Sequence, residues 1–186
     1  MFGFRNPFSR PVESWHVHFI DFLAKTLNPQ VYLEIGIYEG ETFNRVEAPQ
    51  KIAVDIRQES LDYVGISEEV IKIHGDSQVL NVFLSESETK VDLAFIDADH
   101  HSESLIQDFM NINSFMTSRG LVLFHDTYPG SLEYSSPKFC GDGFLAIPIL
   151  RAKLPDWNFV TLPVHPGLTL ASRTDALPDW YKPTNL

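Results

Sequence analysis

Short apolar runs recur along the chain at Val31–Ile37, Lys51–Ile56, Val70–His74, Val91–Ile96 and Leu121–Phe124. Each is rich in Val, Ile, Leu or Phe without polar alternation, the pattern of strands in a parallel sheet covered on both faces. The polar or mixed stretches between them, 42–47, 58–64, 78–84 and 100–116, are long enough for helices. In the last, Leu105, Phe109, Ile112 and Met116 recur at helical spacing and share one face. Strand and helix therefore alternate, which predicts an open, Rossmann-like α/β sheet, mostly parallel, with helices on both faces. Such sheets bind ligands beyond the carboxyl ends of their strands, so chemistry is sought just after each one.

The flanks complete the pattern. Ser14 is placed to cap a helix over about residues 13–27, bearing Trp15, Phe19, Phe22 and Leu23 and stopped by Asn28-Pro29. Trp157–Leu162 and Leu168–Ser172, separated by a Pro-Val-His-Pro-Gly turn, read as an antiparallel C-terminal hairpin. The Pro/Gly/Ser-rich stretch 127–143 is long for a compact connection and is expected to face a substrate. Just after it, Asp142 is expected to cap a short helix with Pro148 in its first turn. One domain over 1–186 is expected, with its core at about 28–173 and an irregular tail over 174–186.

Composition narrows the function. Asp and Glu outnumber Lys and Arg by 25 to 14, a net charge of −11 that repels phosphate polymers and argues against nucleic-acid binding. Leu, Ile, Val and Phe make up about a third of the chain, enough for a packed core. No apolar run approaches the roughly 18 residues of a membrane span. Met1–Pro11 carries no signal-peptide segment, and the single cysteine, Cys140, cannot form an internal disulfide. A soluble cytoplasmic protein with no membrane partner is expected. An edge strand or the N-terminal helix leaves a homo-oligomer open.

The first strand runs into Leu33-Glu34-Ile35-Gly36-Ile37-Tyr38-Glu39-Gly40-Glu41-Thr42. Two glycines four apart between strand and helix let a backbone approach a ligand where helix N–H groups point outward. Tyr38 stands where a dinucleotide fingerprint needs its second glycine, which disfavours a nicotinamide enzyme. Asp55 ends the second strand and Asp76 the third, so with Glu34 three acidic residues stand at three successive strand ends. They suit a ligand rich in hydroxyl or amino donors and free of phosphate. Taken singly, the glycines also fit a tight turn and the aspartates simple helix caps.

The E-x-G-x-x-x-G loop, Asp55 and the Gly75-Asp76-Ser77 run resemble the class I S-adenosylmethionine-dependent methyltransferases over roughly residues 28–173. The resemblance implies S-adenosylmethionine as cofactor, held by Glu34, Gly36, Gly40, Thr42, Asp55, Asp76, Ser77 and Asp97. Asp55 would take the ribose hydroxyls and Asp76 the adenine amine.

A second acidic group follows the next two strands, at Asp97-Ala98-Asp99-His100-His101 and His125-Asp126-Thr127. Neighbouring strands ending in Asp97 and Asp126 bring two carboxylates together, which repel unless a cation lies between them. A hard ion, Mg²⁺ for preference, takes such oxygen ligands and acidifies a bound hydroxyl. His100 is suited to removing that proton near neutral pH. The D-x-D-H and H-D-T runs resemble metal-dependent small-molecule O-methyltransferases. That resemblance implies Asp97 and Asp126 as ligands, His100 as base, and Thr127, His125 or water as the third ligand. Asp99 also reads as a helix cap, His101 as a solvated first-turn residue and His125 as a hydrogen-bonded strand-end histidine. His16, His18 and His165 show no partner in the sequence.

The expected function is divalent-metal-assisted O-methylation of a small-molecule acceptor. Its rivals are a metal-independent methyltransferase, a non-catalytic cofactor-binding homologue and an iron-dependent hydroxylase-like relative. The oxygen-rich ligand set weighs against the last.

Overall fold

The computed structural model describes residues 15–176. The Ser14 cap and the chain from 177 onward lie outside the described residues. Helix α1 (Trp15–Leu27) leads into β1 (Val31–Ile35), α2 (Glu41–Arg45), β2 (Gln50–Asp55), α3 (Gln58–Asp62) and β3 (Val70–His74). Then come α4 (Ser77–Ser87), β4 (Val91–Ile96), α5 (Ser102–Ile112), β5 (Met116–His125), α6 (Ala146–Lys153), β6 (Trp157–Leu162) and β7 (Leu168–Arg173).

The strands form one sheet in the order β3-β2-β1-β4-β5-β7-β6. The first five are mutually parallel, and β7 runs antiparallel between β5 and β6. The expected Rossmann-like sheet and C-terminal hairpin are both present. After β3 the chain returns to the other side of β1, so β1 and β4 flank the switch point where a crevice opens at the strand ends.

Alternation along each strand divides the core into two layers. Leu33, Ile35, Ala94, Ile96, Val122 and Phe124 pack with α4, α5 and α6 on one face. Tyr32, Leu93, Phe95 and Leu123 pack with α1, α2 and α3 on the other. Burying one such large apolar side chain contributes roughly 1.5–3 kcal/mol, so both helical layers are fixed by the sheet between them. None of the described helices is long and apolar enough to cross a membrane.

Two expectations fail locally. Met116 belongs to β5 rather than to the preceding helix: α5 stops at Ile112, and β5 starts opposite Val91 with a register shift before Leu93. Met116 is buried in either reading, so helical spacing alone could not distinguish them. Asp142 makes no side-chain cap on its own following turn. Its Oδ1 instead accepts from the Ser102 N–H at 2.7 Å and so caps α5, forty residues away in sequence. Pro148 does fall in the first turn of α6.

Candidate active site

A cavity of about 1040 Å³ opens at the carboxyl ends of the parallel strands. One end is formed by the loops after β1, β2 and β3. Gly36 has φ +87°, and a Cβ there would lie 2.1 Å from the Asp97 carbonyl oxygen, so only glycine lets these two loops meet. Asp55 Oδ2 accepts from the N–H groups of Ile37 at 2.8 Å and Tyr38 at 3.4 Å, and Oδ1 from that of Arg57 at 2.8 Å. The carboxylate thus holds the glycine loop while its side chain lines the cavity. Asp76 caps α4 through the N–H groups of Gln78 (2.9 Å) and Val79 (3.2 Å), and both Asp76 and Ser77 line the cavity.

Three residues expected at this end do not line the cavity. Gly40 and Thr42 sit at the start of α2, with Thr42 buried. Glu34 lies behind the loop, on the same strand face as Tyr32, whose hydroxyl donates to Glu34 Oε2 at 2.5 Å. Burial raises Glu34 to about 8; Tyr32 opposes the shift and the charge of Asp97 adds to it. A strand-end carboxyl one residue out of phase turns from ligand to core.

The other end gathers the carboxyl termini of β4 and β5. His125 Nδ1 lies 3.1 Å from Asp97 Oδ1 and 3.4 Å from Asp126 Oδ2. His100 Nε2 lies 3.1 Å from Asp126 Oδ2 and 3.9 Å from Asp97 Oδ1. His100 and Asp126 adopt left-handed backbone, φ 61° and 56°. Such strain costs on the order of 1–3 kcal/mol per residue and persists where surroundings enforce it. The enforcement at His100 is visible: its Nδ1 bonds the Phe139 carbonyl, and its own carbonyl accepts from Gly143 N–H at 3.0 Å. Gly141, at φ +55°, passes so close that a Cβ would lie 2.3 Å from the His100 carbonyl oxygen. The 127–143 loop therefore packs over His100, and Phe139 and Cys140 line the cavity beside His165 and Pro166.

Behind His125 stands His16 of α1, whose Nδ1 meets His125 Nε2 at 3.1 Å. Burial opposes charge on His125, but Asp97 and Asp126 outweigh it and raise the imidazole to about 10. Burial and the positive His125 push His16 down to about 4, so this pair holds one proton near neutral pH. Asp97, disfavoured as an anion by burial, is nevertheless lowered by the charge of His125. Burial and Asp126 raise the Cys140 thiol to about 12, which leaves it protonated and unsuited to nucleophilic work.

Ligand atoms of Asp97, His100 and Asp126 all lie within 4.8 Å of one another, an arrangement whose two carboxylates fit a hard divalent cation. The Thr127 hydroxyl is engaged elsewhere: it accepts from Thr169 at 2.8 Å and bonds the Phe124 carbonyl. Asp99 accepts from the His101 N–H (3.0 Å) and the Ser104 hydroxyl (2.7 Å), which orders the approach to α5.

A family model described as a methyltransferase domain matches residues 33–127, just over half of the chain. The chain belongs to this family. An uncharacterised protein of Acanthamoeba polyphaga mimivirus is 26% identical over 129 residues; the alignment takes in 60% of this chain and 58% of the viral protein's length. An O-methyltransferase of Bacillus cereus in complex with SAH shares the fold at TM-score 0.71 and 14% identity, over 89% of this chain and 83% of that one. TomG of Streptomyces achromogenes, an O-methyltransferase of tomaymycin synthesis bound to SAM, gives 0.70 at 16% identity, over 87% and 81%. The SAH-bound Podospora anserina methyltransferase gives 0.68 at 20% identity, over 85% and 77%.

The matched stretch of this methyltransferase domain runs from Leu33 in β1 to Thr127 after β5, and so contains both carboxylate groups. His16, Phe139 and His165 lie outside it. Trp15 Nε1 donates to the His165 carbonyl at 3.1 Å, and the Tyr134 ring stacks on the His165 ring with centroids 4.2 Å apart. Sequence reasoning missed His16 because its partner is 109 residues away. It also passed over Asp108, a buried carboxyl of α5 in the cavity wall; a charged residue at a buried helix position was the available signal.

Proposed function

We propose that this methyltransferase domain transfers the methyl group of S-adenosylmethionine to a hydroxyl of a small molecule, with a divalent cation, Mg²⁺ for preference, held by Asp97 and Asp126. The observation that carries this reading is the sharing of one cavity by Gly36, Asp55 and Asp76 at one end and Asp97, His100 and Asp126 at the other. The nucleoside belongs at the first end. Asp55 has given three acceptor positions to backbone N–H groups, and a carboxylate offers about four, so capacity remains for a ribose hydroxyl. Gly36 presents bare backbone to the amino-acid part.

The acceptor belongs at the second end, between His100, Phe139 and His165. A bound hard cation would make its hydroxyl more acidic. His100 takes the proton: with Nδ1 committed to the Phe139 carbonyl, Nε2 is the nitrogen left to accept it, and Asp126, 3.1 Å from that atom, steadies the imidazolium that forms. Transfer then forms a bond from acceptor oxygen to methyl carbon as the sulfonium carbon–sulfur bond breaks. Alignment across the cavity supplies much of the acceleration, because both reactants have already lost their freedom. The strongly acidic chain and its cavity suit a small acceptor rather than a nucleic acid, and a cytoplasmic setting accords with the lone buried thiol of Cys140.

One observation favours a second reading, metal-independent transfer in the same cavity. His125, raised to about 10, already sets a positive charge between the carboxylates that would otherwise need an ion.

Thermal melting with S-adenosylhomocysteine, with and without Mg²⁺, tests the cofactor and the metal separately. Ligand at a hundred times its Kd should stabilise the fold by about 2.7 kcal/mol. Absence of any shift with the nucleoside would sink the cofactor reading. Methyl transfer that survives exhaustive chelation would sink the metal and leave the second reading.

A further inference from the structure

His16 is a buried imidazole of α1 that stands behind His125 and does not line the large cavity. Its Nδ1 lies 3.1 Å from His125 Nε2, and the two rings are 4.1 Å apart, centroid to centroid. One nitrogen of each imidazole and a carboxylate oxygen of Asp97 all lie within 4.8 Å of one another. Two nitrogens and one oxygen make a different donor set from Asp97, His100 and Asp126, which offer one nitrogen and two oxygens. Imidazole nitrogen suits borderline transition ions, whereas Mg²⁺ is bound through oxygen.

The surroundings fit such an ion. Phe95 flanks both imidazoles, its ring centroid 5.9 Å from that of His16 and 6.0 Å from that of His125, and Trp15 meets His16 edge-on at 6.5 Å. Donors grouped inside an aromatic shell favour a metal centre, because the shell limits solvent access and lowers the local dielectric. Zn–N bonds of about 2.0–2.1 Å can converge from two nitrogens 3.1 Å apart. With Nε2 of His125 on the ion, Nδ1 keeps its proton for Asp126 Oδ2, 3.4 Å away, the kind of outer contact that fixes the tautomer of a ligating histidine. Asp97 and His125 both line the cavity, which gives an ion its way in.

We propose that His16, His125 and Asp97 form a nitrogen-rich site for a borderline divalent ion of the Zn²⁺ class, which fastens α1 to the ends of β4 and β5. The site does not depend on the cofactor reading and shares only Asp97 with the Mg²⁺ site proposed above. His16 precedes the matched methyltransferase stretch, so the N-terminal helix of this chain supplies a ligand that the stretch itself does not contain.

Calorimetric titration of the metal-free full chain with Zn²⁺ and with Mg²⁺, joined to X-ray absorption of the Zn²⁺-loaded protein, tests it. The wild type should bind Zn²⁺ at least about 100-fold more tightly than Mg²⁺, and the absorption spectrum should show two imidazole ligands. His16→Gln should weaken Zn²⁺ by at least about 10-fold and leave Mg²⁺ affinity within about threefold. Wild-type Zn²⁺ binding no tighter than that of Mg²⁺, or a spectrum with fewer than two imidazoles, would overturn the inference whether or not the variant folds, and would leave His16 and His125 a hydrogen-bonded pair. Zn²⁺ affinity unchanged in His16→Gln would overturn it too, by moving the ion to Asp97, His100 and Asp126. Tight, His16-dependent Zn²⁺ binding with no Mg²⁺ binding at all would support this site and remove the Mg²⁺ reading alone.

Discussion

The two ends of the cavity are built differently. At the end formed by β1, β2 and β3, aspartates spend their oxygens on nearby backbone: Asp76 on a residue two positions away, Asp55 on one eighteen away. At the β4–β5 end the pairs are side chains from remote segments, His125 with His16 across 109 residues, or side chain with backbone, His100 with Phe139 across 39. Left-handed backbone falls on two residues there, His100 and Asp126, and at the first end on Tyr38 besides the glycines. The first end is a rigid seat assembled from loop geometry. The second is a charged, strained cluster that depends on the whole fold to stay together, which is where proton transfer should reside.

The sharpest way to break this contrast is His100→Gln. Loss of a positioned base should lower kcat by roughly 10²–10⁴-fold, while the melting shift with S-adenosylhomocysteine stays near that of the wild type. Activity close to wild type would remove the reactive role from the second end. Next in size is Gly36→Ala. Because the new Cβ would fall 2.1 Å from the Asp97 carbonyl, on a backbone already at φ +87°, urea unfolding should report a loss of about 3 kcal/mol. Methyl transfer should fall with it, since the seat touches the backbone that carries Asp97. Retained turnover in a destabilised variant would show that the two ends tolerate independent movement.

The same contrast explains what the sequence could reveal. Unbroken apolar runs and strand-end motifs are local signals, so the parallel sheet and the hairpin were legible, and Gly36 and Asp55 were legible as positions at the strand ends. Asp97, His100 and Asp126 were legible as strand-end positions, and the sheet order brings β4 and β5 side by side. Glu34 was misplaced because side chains on a strand alternate, and motif spacing does not say which face a given residue takes. His16 was invisible because nothing local marks an imidazole of an amphipathic helix as the neighbour of a strand end far along the chain. Asp142 was seen as a cap but given to the wrong helix, since a carboxylate can reach any free N–H that the loops bring near it.

Glu34 offers a smaller effect that separates core from seat. Its folded value of about 8 lies above its ordinary 4.5, so the unfolded chain releases this proton first as pH rises. Stability should therefore decline between about pH 4.5 and 8 as the unfolded chain alone gives up this proton. Glu34→Gln should flatten that part of the pH profile in denaturant unfolding and leave nucleoside affinity within about threefold, because the side chain does not line the cavity. A large loss of affinity with an unchanged pH slope would return Glu34 to the ligand.

The smallest expected effect tests whether the loop over His100 and the helix behind it form one unit. Asp142 Oδ1 accepts the Ser102 N–H at 2.7 Å, so removal of its carboxyl by Asp142→Ala should cost about 1 kcal/mol, as for other helix caps. The same loop presses Gly141 and Phe139 onto His100. If the cap fastens that loop, turnover should fall several-fold more than the stability change explains, with nucleoside binding untouched. A matching loss of stability without any change in kcat would mean that Phe139 and Gly141 hold His100 unaided and that the second end is sturdier than its remote contacts suggest.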